Sequence, residues 1–332
     1  MNKKIYLLYI LLASMIIYPY SSFAIVYALP KNNNRLVGEN IEIFTPKNNI
    51  RSLEYFSAQF QVGISNMLEA NPDVDVYLPD SEKKLIIPHK LILPNKPHSG
   101  IVINNAEMRL YYYPKKNDTV IVLPIAIGTI EHATPSQWIT SIKQKKKNPI
   151  WIPTKSMHDE YMKHGKILPT IFPAGPNNPM GSYALYLGKY YAIHGTNSNF
   201  GIGLRVTRGC IRLRPQDIEY LFNIVPIGTK VQFINEPIKS TIETNGMQYL
   251  EVHNPLSCNN KKGNNHTTES VTKYLTKKIQ SILADHDPNI DYNIVKQALQ
   301  DRSGIPINIT RKQKYNNSTF QINKQTTCNL DL

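Results

Sequence analysis

The sequence predicts a mainly β domain, preceded by a small α+β module and followed by a partly helical extension. Three observations predict this order. Residues 100–236 carry short runs rich in Val, Ile and Tyr, separated by Asn, Pro and Gly, as is typical of strands and turns. Residues 53–70 repeat apolar side chains at helical spacing. Beyond residue 237, a polar linker precedes two stretches with helical periodicity.

The N-terminus has the pattern of a secretory signal. Lys3 and Lys4 form a basic start, an apolar run follows over 5–17, and Ser22-Phe23-Ala24 offers small residues for cleavage. The pattern predicts a signal peptide over 1–24, because the apolar run is too short to span a bilayer comfortably. An uncleaved anchor is the alternative. We therefore expect the mature protein to work outside the cytoplasm.

The charge balance is basic, with 38 Lys and Arg against 24 Asp and Glu, a net charge of +14. A solvated basic surface accounts for this, and attraction to an anionic polymer is the functional interpretation. The basic residues are spread along an exported chain rather than gathered on one helix. Nucleic acid is therefore not the expected partner.

The chain has three cysteines, Cys210, Cys258 and Cys328. Oxidising compartments favour disulfides, but an odd number leaves at least one thiol unpaired. A Cys258–Cys328 pair with Cys210 free and three free thiols both stay open.

The first module is predicted over 40–95. Its two short helices end at Asn71-Pro72, because proline disfavours helical geometry in the residue before it, and 84–94 (KLIIPHKLILP) is predicted as a strand. The succession of two helices, Asn-Pro and an Ile-Pro strand resembles LysM modules. The resemblance implies binding to the glycan chains of peptidoglycan. A βααβ packing domain without a ligand is the alternative.

The β domain is predicted over 99–236. Its predicted elements are two strands on either side of Asn104-Asn105, a strand at 118–128, a hairpin around Gly188-Lys189, a helix starting at Pro215 and a strand at 226–234. Between these elements, 129–182 is predicted to be irregular, and the lysine cluster at 143–147 is predicted to be an exposed loop.

The C-terminal part is predicted as a partly helical domain over 240–310. Helical periodicity covers 270–286 and 291–301. The tail, 311–332, is polar and rich in Asn, Gln and Lys, which predicts disorder.

The chemistry is predicted to lie in residues 194–213 (HGTNSNFGIGLRVTRGCIRL). A cysteine nucleophile needs a base, donors for an oxyanion, and access. His194 ends an apolar strand sixteen residues before Cys210, which leaves room for a loop that returns on a neighbouring strand. Taken alone, each residue has a structural explanation, since a single Cys in a β domain is most often a small buried hydrophobe.

The residues around Cys210 fit the same chemistry. Gly209 lets a substrate approach the backbone closely, and the N–H groups near Gly209 and Cys210 are candidate oxyanion donors. Arg208 and Arg212 are expected to lower the pKa of the thiol, because positive charge favours the thiolate.

His194-Gly195-Thr196 and Thr207-Arg208-Gly209-Cys210-Ile211-Arg212 together resemble the signature of the L,D-transpeptidase (YkuD) catalytic domain, and 173–181 is similar to the upstream loop of that family. The resemblance implies a β-sandwich or barrel with a short helix. It implies that Cys210 and His194 are catalytic. It assigns oxyanion or substrate positioning to the remaining motif residues: Gly209, Arg208, Arg212, Thr207, Gly195 and Thr196. Arg208 replaces a second His, and Thr207 replaces a commoner Ser.

The order of the parts resembles the periplasmic enzymes of Gram-negative bacteria, in particular the subgroup that anchors Braun's lipoprotein. The implied reaction passes the diaminopimelate acyl group of a tetrapeptide stem through a Cys thioester to an amine. The lipoprotein's C-terminal lysine is the favoured acceptor, and 3→3 cross-linking is second. Peptidoglycan and the lipoprotein are the implied partners, and carbapenems the implied covalent inhibitors. No cofactor or metal is expected.

Three alternatives stay open at this point. One is a peptidoglycan-binding protein without catalysis. Another is an L,D-carboxypeptidase or amide hydrolase that uses the same Cys. A sortase-like transpeptidase is disfavoured, because its His lies much farther upstream of its Cys.

Overall fold

The computed structural model describes residues 24–115, 117–198, 200–256, 268–283 and 287–311. Residues 1–23 of the predicted signal peptide and 312–332 of the predicted tail lie outside the described residues, as do Cys258 and Cys328. Among the residues described, no helix combines the length and apolar character needed to cross a bilayer.

Strands predominate over helices in the described ranges. The strands are β1 (Ile25–Ala28), β2 (Leu36–Val37), β3 (Ile41–Phe44), β4 (Lys84–Ile87), β5 (Leu91–Ile92), β6 (Gly100–Asn104), β7 (Arg109–Tyr113), β8 (Thr119–Pro124), β9 (Ile127–Gly128), β10 (Trp138–Ser141), β11 (Gln144–Lys147), β12 (Tyr183–Gly188), β13 (Tyr191–His194), β14 (Arg205–Thr207), β15 (Ile211–Arg212), β16 (Lys230–Ile234), β17 (Ile238–Ile242), β18 (Gln248–Val252) and β19 (Ile307–Asn308). The helices are α1 (Leu53–Gln59), α2 (Ile64–Ala70), α3 (Lys155–Lys163), α4 (Pro215–Ile224), α5 (Thr268–Gln280) and α6 (Tyr292–Asp301).

The middle of the chain folds as two sheets around one core. A six-stranded sheet has the order β1-β8-β7-β6-β16-β10, and a four-stranded sheet has the order β11-β12-β13-β15. Alternate residues of β6 point to opposite faces, so Ile101 and Ile103 join the core between the sheets while Val102 packs on the outer side. The sandwich confirms the mainly β fold class.

Helix α4 closes one side of this core. Pro215 occupies its first turn, where a missing N–H costs nothing, as the sequence predicts. Ile218 and Leu221 are fully buried against the strands.

The N-terminal module, residues 36–93, has the predicted order of strand, two helices and strand. β3 pairs antiparallel with β4, and the side chains of α1 and α2 pack beneath them. Ser52 caps α1 by accepting a hydrogen bond from the Tyr55 N–H at 3.3 Å. Asn71 ends α2 and bonds to the backbone of β4, with its side-chain oxygen 2.8 Å from the Ile86 nitrogen.

The C-terminal part contains the two predicted helices and also a sheet that the sequence analysis missed. β17, β18 and β19 form this sheet, and α5 and α6 pack on it around a common apolar core.

Two predictions for 129–182 are wrong. The segment contains β10, β11 and α3, and the lysine cluster forms the exposed edge strand β11 rather than a loop. The strand exists because its backbone pairs with β12, and its side chains carry no apolar alternation that could have revealed it. Helix α3 has no buried residue, so burial of an apolar face does not explain it.

Candidate active site

Strand pairing brings the predicted cysteine and histidine together. β13 and β15 are parallel neighbours, with Ile193 opposite Ile211 and His194 opposite Arg212. Alternate residues share a face, so His194, Arg212 and Cys210 belong to the same face of the sheet. With strands about 4.8 Å apart and a rise of about 3.3 Å per residue, the Cα atoms of His194 and Cys210 lie about 8 Å apart. Their side chains can therefore meet.

A tight hairpin lies at the end of this face that is next to Cys210. β12 and β13 are joined by Lys189 and Tyr190, both with positive φ (51° and 66°), the geometry that suits the twist of a hairpin. The turn lies one residue later than predicted. The Tyr190 carbonyl accepts a hydrogen bond from the Cys210 thiol at a sulfur–oxygen distance of 3.7 Å.

Cys210 is partly exposed and lies beside a small apolar cluster formed by Met180, Ala184 and Ala192. Burial raises the pKa of the thiol, against the opposing effects of the Ala192 backbone and the Arg212 charge. Arg212 thus lowers this pKa, as expected, but burial outweighs it, and Arg208 is not among the groups that shift it. The thiol is neutral at rest.

His194 is buried, and its Nδ1 lies 2.7 Å from the Gly195 carbonyl. Because a carbonyl oxygen only accepts, this contact favours the neutral tautomer with the proton on Nδ1, which leaves Nε2 as the proposed base nitrogen. Burial and then the Arg212 charge lower the pKa of the ring to about 4, although the carbonyls of Gly195 and Met180 favour the charged form. A neutral imidazole is thus available as a base.

The turn before Cys210 is held by a threonine. The Thr207 hydroxyl donates to the Cys210 carbonyl at 2.6 Å and accepts the Gly209 N–H at 3.2 Å. Gly209 has a φ of +102°, and a Cβ there would lie 2.9 Å from the Tyr191 ring, so only glycine fits. Since Thr207 already holds the Gly209 N–H, an oxyanion role for that group stays a prediction that requires this bond to open.

Gly195 and Thr196 shape the exit from β13. A Cβ on Gly195 would lie 2.9 Å from the Ile218 side chain, which explains the small residue beside the histidine. The buried Thr196 hydroxyl accepts the Ser198 N–H at 3.1 Å. Their assignment to substrate positioning stays a prediction.

The two arginines have different surroundings. Arg208 forms an ion pair with Glu160 of α3 and donates to His132 Nε2 at 2.9 Å, so it serves the surface beside the site. Arg212 is half-buried, and its Nε has no hydrogen-bond partner among the described residues. Of the two, Arg208 alone has an ion-pair partner among the described residues.

A segment that the sequence analysis left irregular adjoins the site. Met180, at one end of a loop, belongs to the apolar cluster beside Cys210, and Trp151, at the other end, packs against the same cluster. The Asn178 side chain links the two ends of this loop. Its amide donates to the carbonyls of Pro149, Phe172 and Pro173 at 2.9, 3.2 and 3.1 Å. The Pro- and Asn-rich composition indicated turns, and the similarity of 173–181 to the upstream loop of the family linked the segment to the site, but neither showed which residues pack beside it.

A neutral thiol, a neutral imidazole on the adjoining strand and an unpartnered arginine nitrogen thus share one partly open face. This combination defines a cysteine–histidine site of the class that nucleophilic enzymes use.

Comparison with known proteins identifies the family within this class of enzymes. The L,D-transpeptidase catalytic domain (YkuD) matches residues 98–233, and the L,D-transpeptidase C-terminal domain matches 237–309. The probable L,D-transpeptidase YbiS of Escherichia coli is 50% identical over 309 residues, 93% of this chain and 100% of its own length. The probable L,D-transpeptidase ErfK/SrfK of Salmonella typhimurium is 50% identical over 289 residues, 87% of this chain and 92% of its own. The chain therefore belongs to the L,D-transpeptidase family, which confirms the resemblance.

Solved structures give weaker likenesses. An L,D-transpeptidase from Mycobacterium tuberculosis is 18% identical with a TM-score of 0.29, and the match covers 48% of this chain and 64% of that one. L,D-transpeptidase 3 from the same organism, in complex with a faropenem-derived adduct, is 16% identical with a TM-score of 0.30 over 48% and 66% of the two chains. The family assignment rests on the sequence relatives.

Proposed function

We propose that this L,D-transpeptidase works through a Cys210 thioester on peptidoglycan tetrapeptide stems. The observation that carries the proposal is the register of β13 and β15, which sets His194, Arg212 and Cys210 on one face. The family membership supports the transpeptidation itself. The covalent route and the roles of the residues are the part proposed here.

In the first half-reaction, Cys210 Sγ attacks the carbonyl carbon at the L-centre of diaminopimelate. The thiol proton passes to His194 Nε2 as the carbon–sulfur bond forms. The tetrahedral oxyanion then collapses and breaks the amide bond. The departing D-alanine nitrogen takes the proton from His194, and an acyl thioester remains on Cys210.

In the second half-reaction, an acceptor amine attacks the thioester carbonyl. The amine gives a proton to His194, the carbon–sulfur bond breaks, and the sulfur takes the proton back. The resting thiol and the neutral imidazole are restored. Water in place of the amine would give hydrolysis at the same site.

Arg212 is the residue proposed to hold a carboxylate of the stem. Stem peptides of this class carry several carboxylates, and a guanidinium can bind one through two parallel hydrogen bonds. The support is its place beside Cys210 and the unpartnered buried Nε.

The N-terminal module is proposed to bind the glycan chains. Its βααβ order supports this, together with a cluster of exposed apolar side chains on the two loops that flank its helices. Ile50 lies on one loop, and Tyr77 and Leu78 lie on the other. The loops are joined by the Asn49 side chain, which donates to the Pro79 carbonyl at 2.8 Å.

The favoured acceptor is the C-terminal lysine of a Braun-type lipoprotein, and a second diaminopimelate is the other candidate. The resemblance to the anchoring subgroup supports this choice. Muropeptide mass spectrometry on cells with and without the gene separates the two. Lysine-arginine remnants that disappear with the gene would support the lipoprotein, and loss of 3→3 cross-links alone would contradict it.

The proposed compartment is the periplasm, which the signal pattern over 1–24 supports. There, Cys210 meets oxidants, and a partly exposed thiol is open to sulfenic acid or mixed disulfide formation.

Intact-mass spectrometry tests the thioester directly. The full chain is incubated with a tetrapeptide stem or with imipenem, and we expect an acyl adduct on Cys210. Cys210→Ala should give no adduct and no transfer, while its circular dichroism and melting stay those of the parent. Acyl transfer retained by Cys210→Ala would contradict the proposed mechanism.

A further inference from the structure

The N-terminal module contacts the chain on both sides of Cys210. Upstream, the Glu54 carboxylate of α1 accepts the Gly201 N–H at 2.8 Å, and the Ile64 N–H of α2 donates to the Ile202 carbonyl at 3.0 Å. Both loop residues lie between His194 and Cys210. The module therefore holds the loop that joins the proposed base to the proposed nucleophile.

The contact is close at Gly203. Its φ is +96°, and a Cβ there would lie 2.5 Å from the Ile64 nitrogen and 2.8 Å from the Gly63 backbone. The next residue, Leu204, packs on the apolar core of the module. Loop and module thus fit as one packed interface with no side chain between their backbones at this point.

Downstream of Cys210, Arg214 reaches into the module. It is 1% exposed, and its Nη2 donates to the Val62 carbonyl at 2.8 Å and to the Ser57 hydroxyl at 3.4 Å. Asp217 of α4 and Glu54 of the module attract its charge, while its Nε and Nη1 have no hydrogen-bond partner among the described residues. Burying a guanidinium is costly, so the hydrogen bonds that Nη2 makes to the module hold Arg214 at this one position.

Both contacts converge on Arg212. The loop bonds to the segment 125–127, since the Gly203 N–H donates to the Ile125 carbonyl and the Ile127 N–H to the Leu204 carbonyl. The residue between, Ala126, exchanges two backbone hydrogen bonds with Arg212, at 2.8 and 3.0 Å. Arg214 lies two residues after Arg212 in the chain, so its contact with the module holds the segment that carries Arg212.

From this geometry we propose that the module is a working part of the catalytic site. Glu54 and Arg214 act as positioning residues for Arg212 and Cys210, so glycan binding to the module and acylation of Cys210 are energetically coupled. This inference rests on the proposed function. Coupling of this kind is reciprocal for binding, so acyl-enzyme formation should in turn change the affinity for glycan.

The first test compares four full-length proteins: the parent, Glu54→Ala, Glu54→Gln and the control Glu42→Ala. Glu42 forms an exposed ion pair with Lys84 on the same module and does not contact the loop. The readout is the first-turnover rate of Cys210 acylation by imipenem, followed by intact mass. We expect Glu54→Ala to be about tenfold slower because it leaves the Gly201 N–H unpaired. Glu54→Gln keeps an acceptor oxygen but loses the charge that faces Arg214, so its rate should lie between those of Glu54→Ala and the parent. The control should stay within about twofold of the parent.

Parental acylation by a correctly folded Glu54→Ala would overturn the inference. If this variant does not fold, the parent protein supplies the second test. Glycan strands stripped of their stems are added during acylation, and their binding is measured by calorimetry. We expect a saturable rate change of about threefold or more. Strands that bind without changing the rate, or do not bind, contradict the coupling. A parent that imipenem and a tetrapeptide stem both fail to acylate contradicts the proposed function instead.

Discussion

At the scale of single residues, the site keeps both reacting groups neutral at rest. Burial dominates both shifts, since it raises the pKa of the Cys210 thiol and lowers that of the His194 ring to about 4. A preformed thiolate–imidazolium pair is therefore not the resting state. In the proposed mechanism the proton therefore moves during the attack on the substrate, with His194 as the general base.

This protonation state predicts an unusual pH profile. Because His194 loses its proton near pH 4 rather than near 6.5, first-turnover acylation should stay constant from about pH 7 down to about pH 5 and fall only below that. Stopped-flow acylation across this range measures the acid limb. An acid limb centred near 6.5 would contradict the buried, neutral histidine. The same shift contributes stability above pH 6.5 that is lost as the pH falls towards 4.

Arg212 predicts a second residue-scale effect. Replacing it with Met removes a charged donor, so kcat/KM for a tetrapeptide stem should fall by about 10- to 100-fold, mostly through KM. Arg212→Lys keeps the charge but lacks the planar guanidinium, so its kcat/KM should lie between those of the parent and Arg212→Met. Steady-state kinetics checks this, with Lys189→Met as a control for general charge loss. An unchanged KM in Arg212→Met rules out carboxylate binding.

At the scale of elements, the four-residue turn from Thr207 to Cys210 is what presents the sulfur. The Thr207 hydroxyl, at the start of the turn, bonds to the backbone of its last two residues, Gly209 and Cys210. A hydroxyl at this position, supplied by Ser in many members of the family, is explained by this double contact. The conformation of the turn is thus set by hydrogen bonds to its backbone, and this conformation places the Cys210 side chain.

Removing that hydroxyl tests the turn. Thr207→Val keeps the shape but leaves two buried backbone groups unpaired, which should cost about 1–3 kcal/mol of unfolding free energy and slow acylation. Thr207→Ser restores both bonds and should behave as the parent. Urea unfolding and imipenem acylation give the two readouts. Equal stability in Val and Ser variants would show that water replaces the hydroxyl.

The sequence predicted the elements whose own residues carry a pattern. The hairpin before His194, the two module helices and α4 all follow from alternation, helical spacing or Pro215. It missed β11, because a run of lysines becomes a strand only through pairing with β12, and it missed α3, because that helix buries nothing. The contact of Glu54 with Gly201 joins residues 147 positions apart, and no local pattern encodes it.

At the scale of the whole molecule, a buried ionic cluster joins all three parts. Its acids are Glu69 of the module, Glu107 of the β domain and Glu251 of the C-terminal part, and its bases are Arg109, Lys239 and His253. Three negative charges thus face three positive ones when His253 is protonated. Glu107, Glu251 and His253 have ligand atoms close enough for a metal, but the Lys239 ammonium already lies 3.0 and 3.2 Å from the two carboxylates. Because the cluster crosses every boundary, we expect the three parts to unfold together.

The cluster predicts how stability depends on pH. His253 lies between Glu69 and Glu251, with 2.7 Å from a ring nitrogen to each carboxylate, and these partners raise its pKa to about 9 in spite of burial. A base with a raised native pKa contributes stability that is complete below its unfolded pKa of about 6.5 and is lost as the pH rises through 9. The loss should be about 3 kcal/mol.

Urea unfolding of the full chain at several pH values between 6 and 9.5 measures this loss. His253→Gln should be less stable than the parent near pH 7 and should lose little more on going to pH 9.5. The exposed His164→Gln should follow the parent. Asp217, whose pKa burial raises to about 7, loses its contribution between about pH 4 and 7 and so falls mostly below this range. A parent and His253→Gln that lose stability in parallel would show that His253 stays neutral and that the cluster carries a net negative charge.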